Sequence, residues 1–145
     1  FGQHSITLTK SANHLNDRLN LDLKNAPDIA QTIAVTCFGL GIDCTLTGLH
    51  TLKIKETDRL VALENELTKL GATISVTNES LDLETSNNIN SNISIETYND
   101  HRMAMAFAPL ALEVPISILD ANVVTKSYRD FWKDMQQIGF QIEKE

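Results

Sequence analysis

The feature that most constrains the fold is one order of elements that occurs twice along the chain. Each copy predicts a helix, a short strand, a turn that carries a lysine, a second helix ended by a glycine, and a further strand. Matching positions lie about 70 residues apart: Asp28 with Asp100, Lys55 with Lys126, and Gly71 with Gly139. Because strands alternate with helices, the pattern predicts an α/β fold with two structural units, about residues 20–85 and 92–145.

Local signals place four helices within this pattern. The first follows Pro27 and ends near Gly39 and Gly41, and the second runs from about Asp58 to Leu70. The third starts near residue 101, reads MAMAFAPLAL, and should be buried on every side and kinked at Pro109. The fourth should start at residue 127 with a capping box to residue 130. Strands are predicted for CTLTGL, ATISVT, SLDLET, NISIET, PISILD and FQIEKE.

Composition excludes several classes of function. The 145-residue chain has a net charge of −7, which argues against a nucleic-acid partner. No apolar run approaches the length of a bilayer span, and FGQHSITLTK resembles no signal peptide, so we expect no membrane partner. Cys37 and Cys44 match no metal or disulfide spacing. Cys37 lies in an apolar segment, and a buried free thiol suits a reducing cytoplasm.

The second helix opens with an unusual mixture of charges, KIKETDR. Acidic side chains stabilise a helix start, so Glu56 and Asp58 need no ligand to explain them. Lys53, Lys55 and Arg59 are disfavoured there unless an anion is bound beside the free N–H groups. A surface salt-bridge cluster explains the same residues equally well. Local chemistry leaves both interpretations open.

A second charged opening, YNDHR, precedes the apolar third helix. Asp100 suits the N-cap position, while Arg102 in the first turn of such a helix needs a partner. That partner is either Asp100 or an anionic ligand. His101 is either a proton-transfer group or a hydrogen-bonded helix-start residue, and Lys126 stands out only through its place in the repeat.

Three segments in this order and spacing resemble the EPSP synthase family: KIKETDRLVALENELTKLGA, YNDHRMAMAFAPLAL and VTKSYRDFW. PDIAQTIA resembles the segment of that family that carries a catalytic aspartate. The resemblance covers about residues 25–140. It implies an inside-out α/β barrel lobe built from βαβαββ units, of which this chain supplies two as the C-terminal part of a longer, two-lobed enzyme. It further implies a missing N-terminal lobe that holds additional ligands.

The resemblance also implies a reaction. Members transfer enolpyruvyl from phosphoenolpyruvate to shikimate 3-phosphate, releasing phosphate, in the shikimate pathway to chorismate and the aromatic amino acids. No metal or organic cofactor is implied. The family's two lobes enclose the active site, so we expect this chain alone to be inactive.

Residue by residue, the resemblance assigns roles to seven positions. Asp28 matches the acid that takes the proton of the 5-hydroxyl, and Glu56 matches an acid for proton transfer at the methylene carbon. Lys55 matches a lysine of the shikimate side. The expected ligands of phosphoenolpyruvate are Arg59, Arg102 and Lys126, with His101 in a supporting role. We therefore predict that the tips of Arg59, Arg102 and Lys126 lie within reach of one small anion.

Two positions depart from the family pattern. Thr51 stands where some members have an asparagine that contacts the shikimate phosphate, and Arg129 stands where proline is usual. Two other classes of protein compete with the enzyme. One is a non-catalytic anion-binding domain of the same fold, and the other is a purely structural α/β module. The intact set of charged residues speaks against both.

Overall fold

The first half of the chain contains a four-stranded sheet. The computed structural model describes residues 5–7, 18–86 and 88–143. The strands are β1 (Arg18–Asp22), β2 (Asp43–Thr47), β3 (Thr73–Val76) and β4 (Leu81–Glu84), in the order β1-β2-β4-β3. β1 runs parallel to β2, and the other two pairs are antiparallel. β1 was absent from the predicted strands because it is a half-exposed edge strand whose partner lies 25 positions further along the chain.

Two helices connect these strands. A 3₁₀ turn at Pro27–Ile29 leads into α1 (Ala30–Leu40), and another at His50–Ile54 precedes α2 (Arg59–Lys69). Gly41, with φ 67°, ends α1 in the left-handed conformation, which costs glycine little. The carboxylate of Asp58 accepts from the N–H groups of Leu60 and Val61 and so caps α2. Both helices therefore follow the predicted bounds closely.

The second half contains a separate parallel pair of strands. β5 (Ile93–Ile95) pairs with β6 (Ile116–Ile118), and α3 (His101–Phe107) lies between them in the chain. α4 (Phe131–Gln137) follows a 3₁₀ turn at Ala121–Lys126. The element order βαβα here resembles the start of βαβαββ in residues 18–84, and the division into two repeat units stays a prediction.

α3 joins two apolar clusters, as its uniform hydrophobicity predicts. Met103, Ala106 and Phe107 belong to the large core formed with α1, α2 and the four-stranded sheet. On its other side Ala104 packs in a smaller cluster with residues of α4 such as Phe131. This double burial holds α3 between the large core and the smaller cluster.

Three local predictions are corrected by the structure. Pro109 does not kink a continuing α-helix: α3 ends at Phe107 and the chain continues as a 3₁₀ helix to Leu112, because proline cannot donate the next helical hydrogen bond. The fourth helix begins at Phe131 rather than Ser127, since the 3₁₀ turn uses the preceding residues. Within the described part of the chain, the side chain of Asp130 makes no capping hydrogen bond at this helix start.

The predicted final strand, FQIEKE, is also not observed in its described part. Residues 140–143 form no strand, and Phe140 and Ile142 instead pack against the smaller apolar cluster. Residues 144 and 145 lie outside the described residues. Across the part of the chain that the structure describes, no helix has both the length and the hydrophobicity needed to cross a bilayer.

Candidate active site

Three helix starts bring their charged residues together at one place. Asp28 lies in the 3₁₀ turn before α1, Lys55 and Glu56 lie just before α2, and Arg59 is the first residue of α2. Asp100 is the N-cap of α3 and directly precedes His101 and Arg102. We call Asp28, Lys55, Glu56, Arg59, Asp100 and Arg102 the charged cluster.

Arg59 is the centre of this cluster. Its side chain is only 2% exposed, and its three nitrogens contact three carboxylates. Nε donates to Asp100 at 2.6 Å, Nη1 donates to Asp28 at 3.0 Å, and Nη2 donates to Glu56 at 2.8 Å. Asp100 is fully buried. Lys55 and Arg59 of KIKETDR thus take part in a salt-bridge cluster, but its central cation is buried rather than solvated. Binding of an anion at this helix start stays a prediction.

Asp28 forms the second point of convergence. Lys55 Nζ lies 3.3 Å and Arg102 Nη2 3.4 Å from its carboxylate, and Arg102 Nη1 donates to the Asp28 backbone carbonyl at 3.1 Å. Burial raises the pKa of Asp28, but the Lys55 hydrogen bond and the charges of Arg102, Lys55 and Arg59 outweigh it, so the pKa is lowered. Asp28 is therefore an ionised acceptor at neutral pH.

The cluster has a buried floor and an open rim. Arg59 and Asp100 form the floor, while the side chains of Asp28, Lys55, Glu56 and Arg102 are 33–44% exposed. Three cations face three carboxylates, so the formal charges cancel. A ligand approaching the rim would meet donors that are already oriented by the carboxylates.

The N-cap prediction for Asp100 is confirmed, and of the two partners considered for Arg102, the carboxylate of Asp100 does not pair with its guanidinium. Asp100 accepts the backbone N–H of Arg102 at 2.9 Å and caps α3. Its charge, however, pairs with Arg59, and the guanidinium of Arg102 reaches Asp28. Asp100 was not among the predicted site residues. Its position before a buried helix was a usable signal, because an acid there can pair with a cation from another element.

Lys126 and His101 stand beside the cluster. Lys126 Nζ donates to both the backbone and the side-chain oxygen of Asn99, each at 2.9 Å, one residue before Asp100. His101 is 18% exposed, and its Nδ1 lies 3.9 Å from Asp100 without a hydrogen-bond partner among the residues that the structure describes. Arg59 and Arg102 thus meet at Asp28, while Lys126 joins the adjacent turn. Their shared reach to one anion stays a prediction.

Comparison with known proteins shows the family to which this chain belongs. The family model of EPSP synthase (3-phosphoshikimate 1-carboxyvinyltransferase) matches residues 3–135. The chain belongs to the EPSP synthase family. An EPSP synthase relative, the 3-phosphoshikimate 1-carboxyvinyltransferase of Bacteroides fragilis strain YCH46, is 45% identical over 130 residues, which are 88% of this chain and 32% of the relative. The Sodalis glossinidius enzyme of that name is 39% identical over 96% of this chain and 32% of its own length.

Solved EPSP synthase structures agree with the architecture. An EPSP synthase from Acinetobacter baumannii, solved at 2.37 Å, aligns with a TM-score of 0.70 at 25% identity and covers 81% of this chain and 28% of that one. The predicted EPSP synthase-like α/β fold is confirmed. The chain spans about a third of the length of the curated EPSP synthase relatives that it matches.

Proposed function

We propose that this chain supplies one part of the active site of an enzyme that transfers enolpyruvyl from phosphoenolpyruvate to shikimate 3-phosphate. The observation that carries the proposal is the convergence of Lys55, Arg59 and Arg102 on the ionised carboxylate of Asp28. Relatives named 3-phosphoshikimate 1-carboxyvinyltransferase support the choice of reaction. The remaining ligands come from a second lobe that this chain does not include.

Asp28 acts as the general base in this proposal. Its lowered pKa keeps it ionised, so its carboxylate can accept the proton of the 5-hydroxyl while that oxygen forms a bond to C2 of phosphoenolpyruvate. The three surrounding cations limit how basic it is, and the incoming anion relieves this because it draws Arg102 and Lys55 toward itself. Both side chains are partly exposed, which leaves room for that movement.

We assign the proton transfer at the methylene carbon to Glu56. Protonation of C3 accompanies the addition, and loss of a proton from C3 with departure of phosphate restores the double bond in the elimination. Glu56 is 44% exposed and lies 2.8 Å from Arg59, so it points from the rim while one oxygen stays oriented. In this proposal Arg59, Arg102 and Lys126 bind phosphoenolpyruvate. Arg59 also orients the carboxylates that it contacts, and His101 supports the start of α3.

The charge balance favours catalysis over simple anion binding. A non-catalytic anion-binding domain would gain affinity from unpaired cations, yet here Asp28, Glu56 and Asp100 neutralise them. Carboxylates held at the rim reduce anion affinity but supply groups that accept and donate protons. A dense anion such as phosphoenolpyruvate then needs further cations, which we assign to the second lobe.

The cellular setting follows from the proposed reaction and the thiols. Cys37 and Cys44 are free and buried, which suits a reducing compartment such as the cytoplasm. There the product would serve chorismate and aromatic amino acid synthesis. No step of the proposed reaction requires a metal or an organic cofactor.

A chimera tests the proposal. The 130-residue segment of the Bacteroides fragilis relative that matches this chain is replaced by the corresponding residues of this chain. We expect phosphate release that depends on both phosphoenolpyruvate and shikimate 3-phosphate. A chimera that folds and binds both substrates without releasing phosphate would refute the proposed function.

A further inference from the structure

The turn before α3 has a strained backbone. Tyr98 and Asn99 both adopt positive φ, 53° and 57°. Residues with a Cβ rarely occupy this region, and a bulky residue such as tyrosine does so less readily than asparagine. Such a conformation persists only when the surrounding structure holds it. The turn directly precedes Asp100, so whatever holds it also places that carboxylate.

A buried carboxylate on α2 holds this turn. Glu66 is fully buried, and its Oε1 accepts from the hydroxyl of Tyr98 at 2.7 Å. Its Oε2 accepts from the backbone N–H of Glu96 at 3.1 Å, so Glu66 contacts the chain on both sides of Thr97. Lys69 Nζ lies 2.7 Å from Oε2 and balances the charge. A carboxylate removed from water needs this full set of partners.

α2 contacts the turn before α3 at a second residue. Arg59 lies seven residues before Glu66, two helical turns away and therefore on the same face. Arg59 binds Asp100 at 2.6 Å, and Glu66 binds Tyr98 at 2.7 Å. The cation of Arg59 thus holds the turn at Asp100, and the carboxylate of Glu66 holds it at Tyr98. Because both side chains belong to one helix, these two contacts set the distance of the turn from α2 and its orientation.

This turn also orients Arg102 and Lys126, two of the proposed ligands of phosphoenolpyruvate. Asp100 accepts the N–H of Arg102 and starts the helix that carries this arginine. Asn99 accepts both hydrogen bonds of Lys126 through its backbone and side-chain oxygens. A shift of the turn therefore displaces Arg102 and Lys126 together.

We infer that Glu66, acting through Tyr98, is a positioning residue that aligns Arg102 and Lys126 for phosphoenolpyruvate. The inference rests on the proposed function for the identity of the ligand. Glu66 is buried under the turn and acts only through the residues it holds. The contact between Glu66 and the turn is independent of the reaction and can be tested without substrate.

Tyr98→Phe removes the hydroxyl and keeps the ring. Tyr128→Phe is the matched control, because the Tyr128 hydroxyl also donates to a carboxylate, that of Asp134 at 2.6 Å, which belongs to α4 and not to this turn. In the full chain without substrate, we expect Tyr98→Phe to speed amide hydrogen exchange over residues 96–103 about tenfold. In the chimera, we expect the KM for phosphoenolpyruvate to rise about tenfold while kcat changes less than about threefold. The control should leave all three quantities unchanged.

Three results would overturn the inference. Unchanged exchange in Tyr98→Phe would show that Glu66 does not hold the turn. Faster exchange with an unchanged KM, or a loss confined to kcat, would show that the turn does not position the ligands. A parent chimera that folds and binds both substrates without turnover would refute the proposed function instead, and the exchange comparison would then decide the Glu66 contact alone. Glu66→Gln, which loses the charge, should move exchange and KM in the same direction.

Discussion

At the scale of single residues, Asp28 links the chemistry of the site to acid stability. Its folded-state pKa is lowered, so the unfolded chain binds this proton more readily than the folded chain. The ionised carboxylate therefore stabilises the fold above about pH 4, near the unfolded pKa, and this stabilisation is lost as the pH falls through the lower folded value.

This linkage gives a pH prediction. The free energy of unfolding of the parent chain should exceed that of Asp28→Asn at pH 7, and the difference should shrink as the pH falls below about 4. Urea denaturation at several pH values measures it. Asp130→Asn, at an exposed position, is the control. A difference between parent and Asp28→Asn that stays constant with pH would contradict the lowered pKa.

Arg59 is the residue whose shape matters most for stability. Its planar guanidinium contacts Asp28, Glu56 and Asp100 at once, which a lysine ammonium cannot reproduce. We expect Arg59→Lys to lower the free energy of unfolding by about 2 kcal/mol. The exposed Arg129→Lys should change it by less than about 0.5 kcal/mol. Equal effects of the two changes in urea denaturation would argue against Arg59 as the centre of the cluster.

At the scale of elements, the two N-caps are not equivalent. Asp58 accepts from two N–H groups of α2, whereas Asp130 occupies the N-cap of α4 without a side-chain capping bond. We expect Asp58→Ala to cost about 1 kcal/mol and Asp130→Ala less than about 0.5 kcal/mol, measured by urea denaturation. Similar losses at both positions would mean that the capping bonds of Asp58 contribute little.

Elements with local signals could be predicted from the sequence. Gly41 ends α1 and Asp58 begins α2 through contacts within one helical turn, so their bounds follow from neighbouring residues. β1 depends on pairing with β2, and the start of α4 depends on a preceding 3₁₀ turn, so neither has a comparable local signal.

In the candidate site, too, local features could be predicted from the sequence, whereas contacts between distant residues could not. The charged openings at KIKETDR and YNDHR marked residues that the structure brings together in the charged cluster, because such charges are unusual at helix starts. The actual partners were not predictable, since Arg59 and Asp100 are 41 positions apart and meet only after α2 and α3 pack. Glu66 was not singled out from the sequence, because a glutamate at this position is ordinary in an amphipathic helix such as α2. Its burial and its hydrogen bond with Tyr98 become visible only in the structure.

At the scale of the whole molecule, the chain presents an open and electrically balanced site. The rim residues Asp28, Lys55, Glu56 and Arg102 are partly exposed, and the chain spans about a third of the length of its curated relatives. Nothing in this cluster supplies the excess positive charge or the exclusion of water that the proposed reaction needs.

The isolated chain should therefore show no measurable transferase activity. A phosphate-release assay with phosphoenolpyruvate and shikimate 3-phosphate tests this, with the chimera as the positive control. Turnover that depends on both substrates, from a pure sample of the chain alone, would mean that one part of the site is sufficient.

Asp28 is the proposed base in the portion of the site that this chain supplies. Steady-state phosphate release by the chimera, with and without Asp28→Asn, tests this role. The amide keeps the size of the side chain but cannot accept the hydroxyl proton, so kcat should fall about a hundredfold or more, with a much smaller change in KM. A kcat within about threefold of the parent would contradict the account.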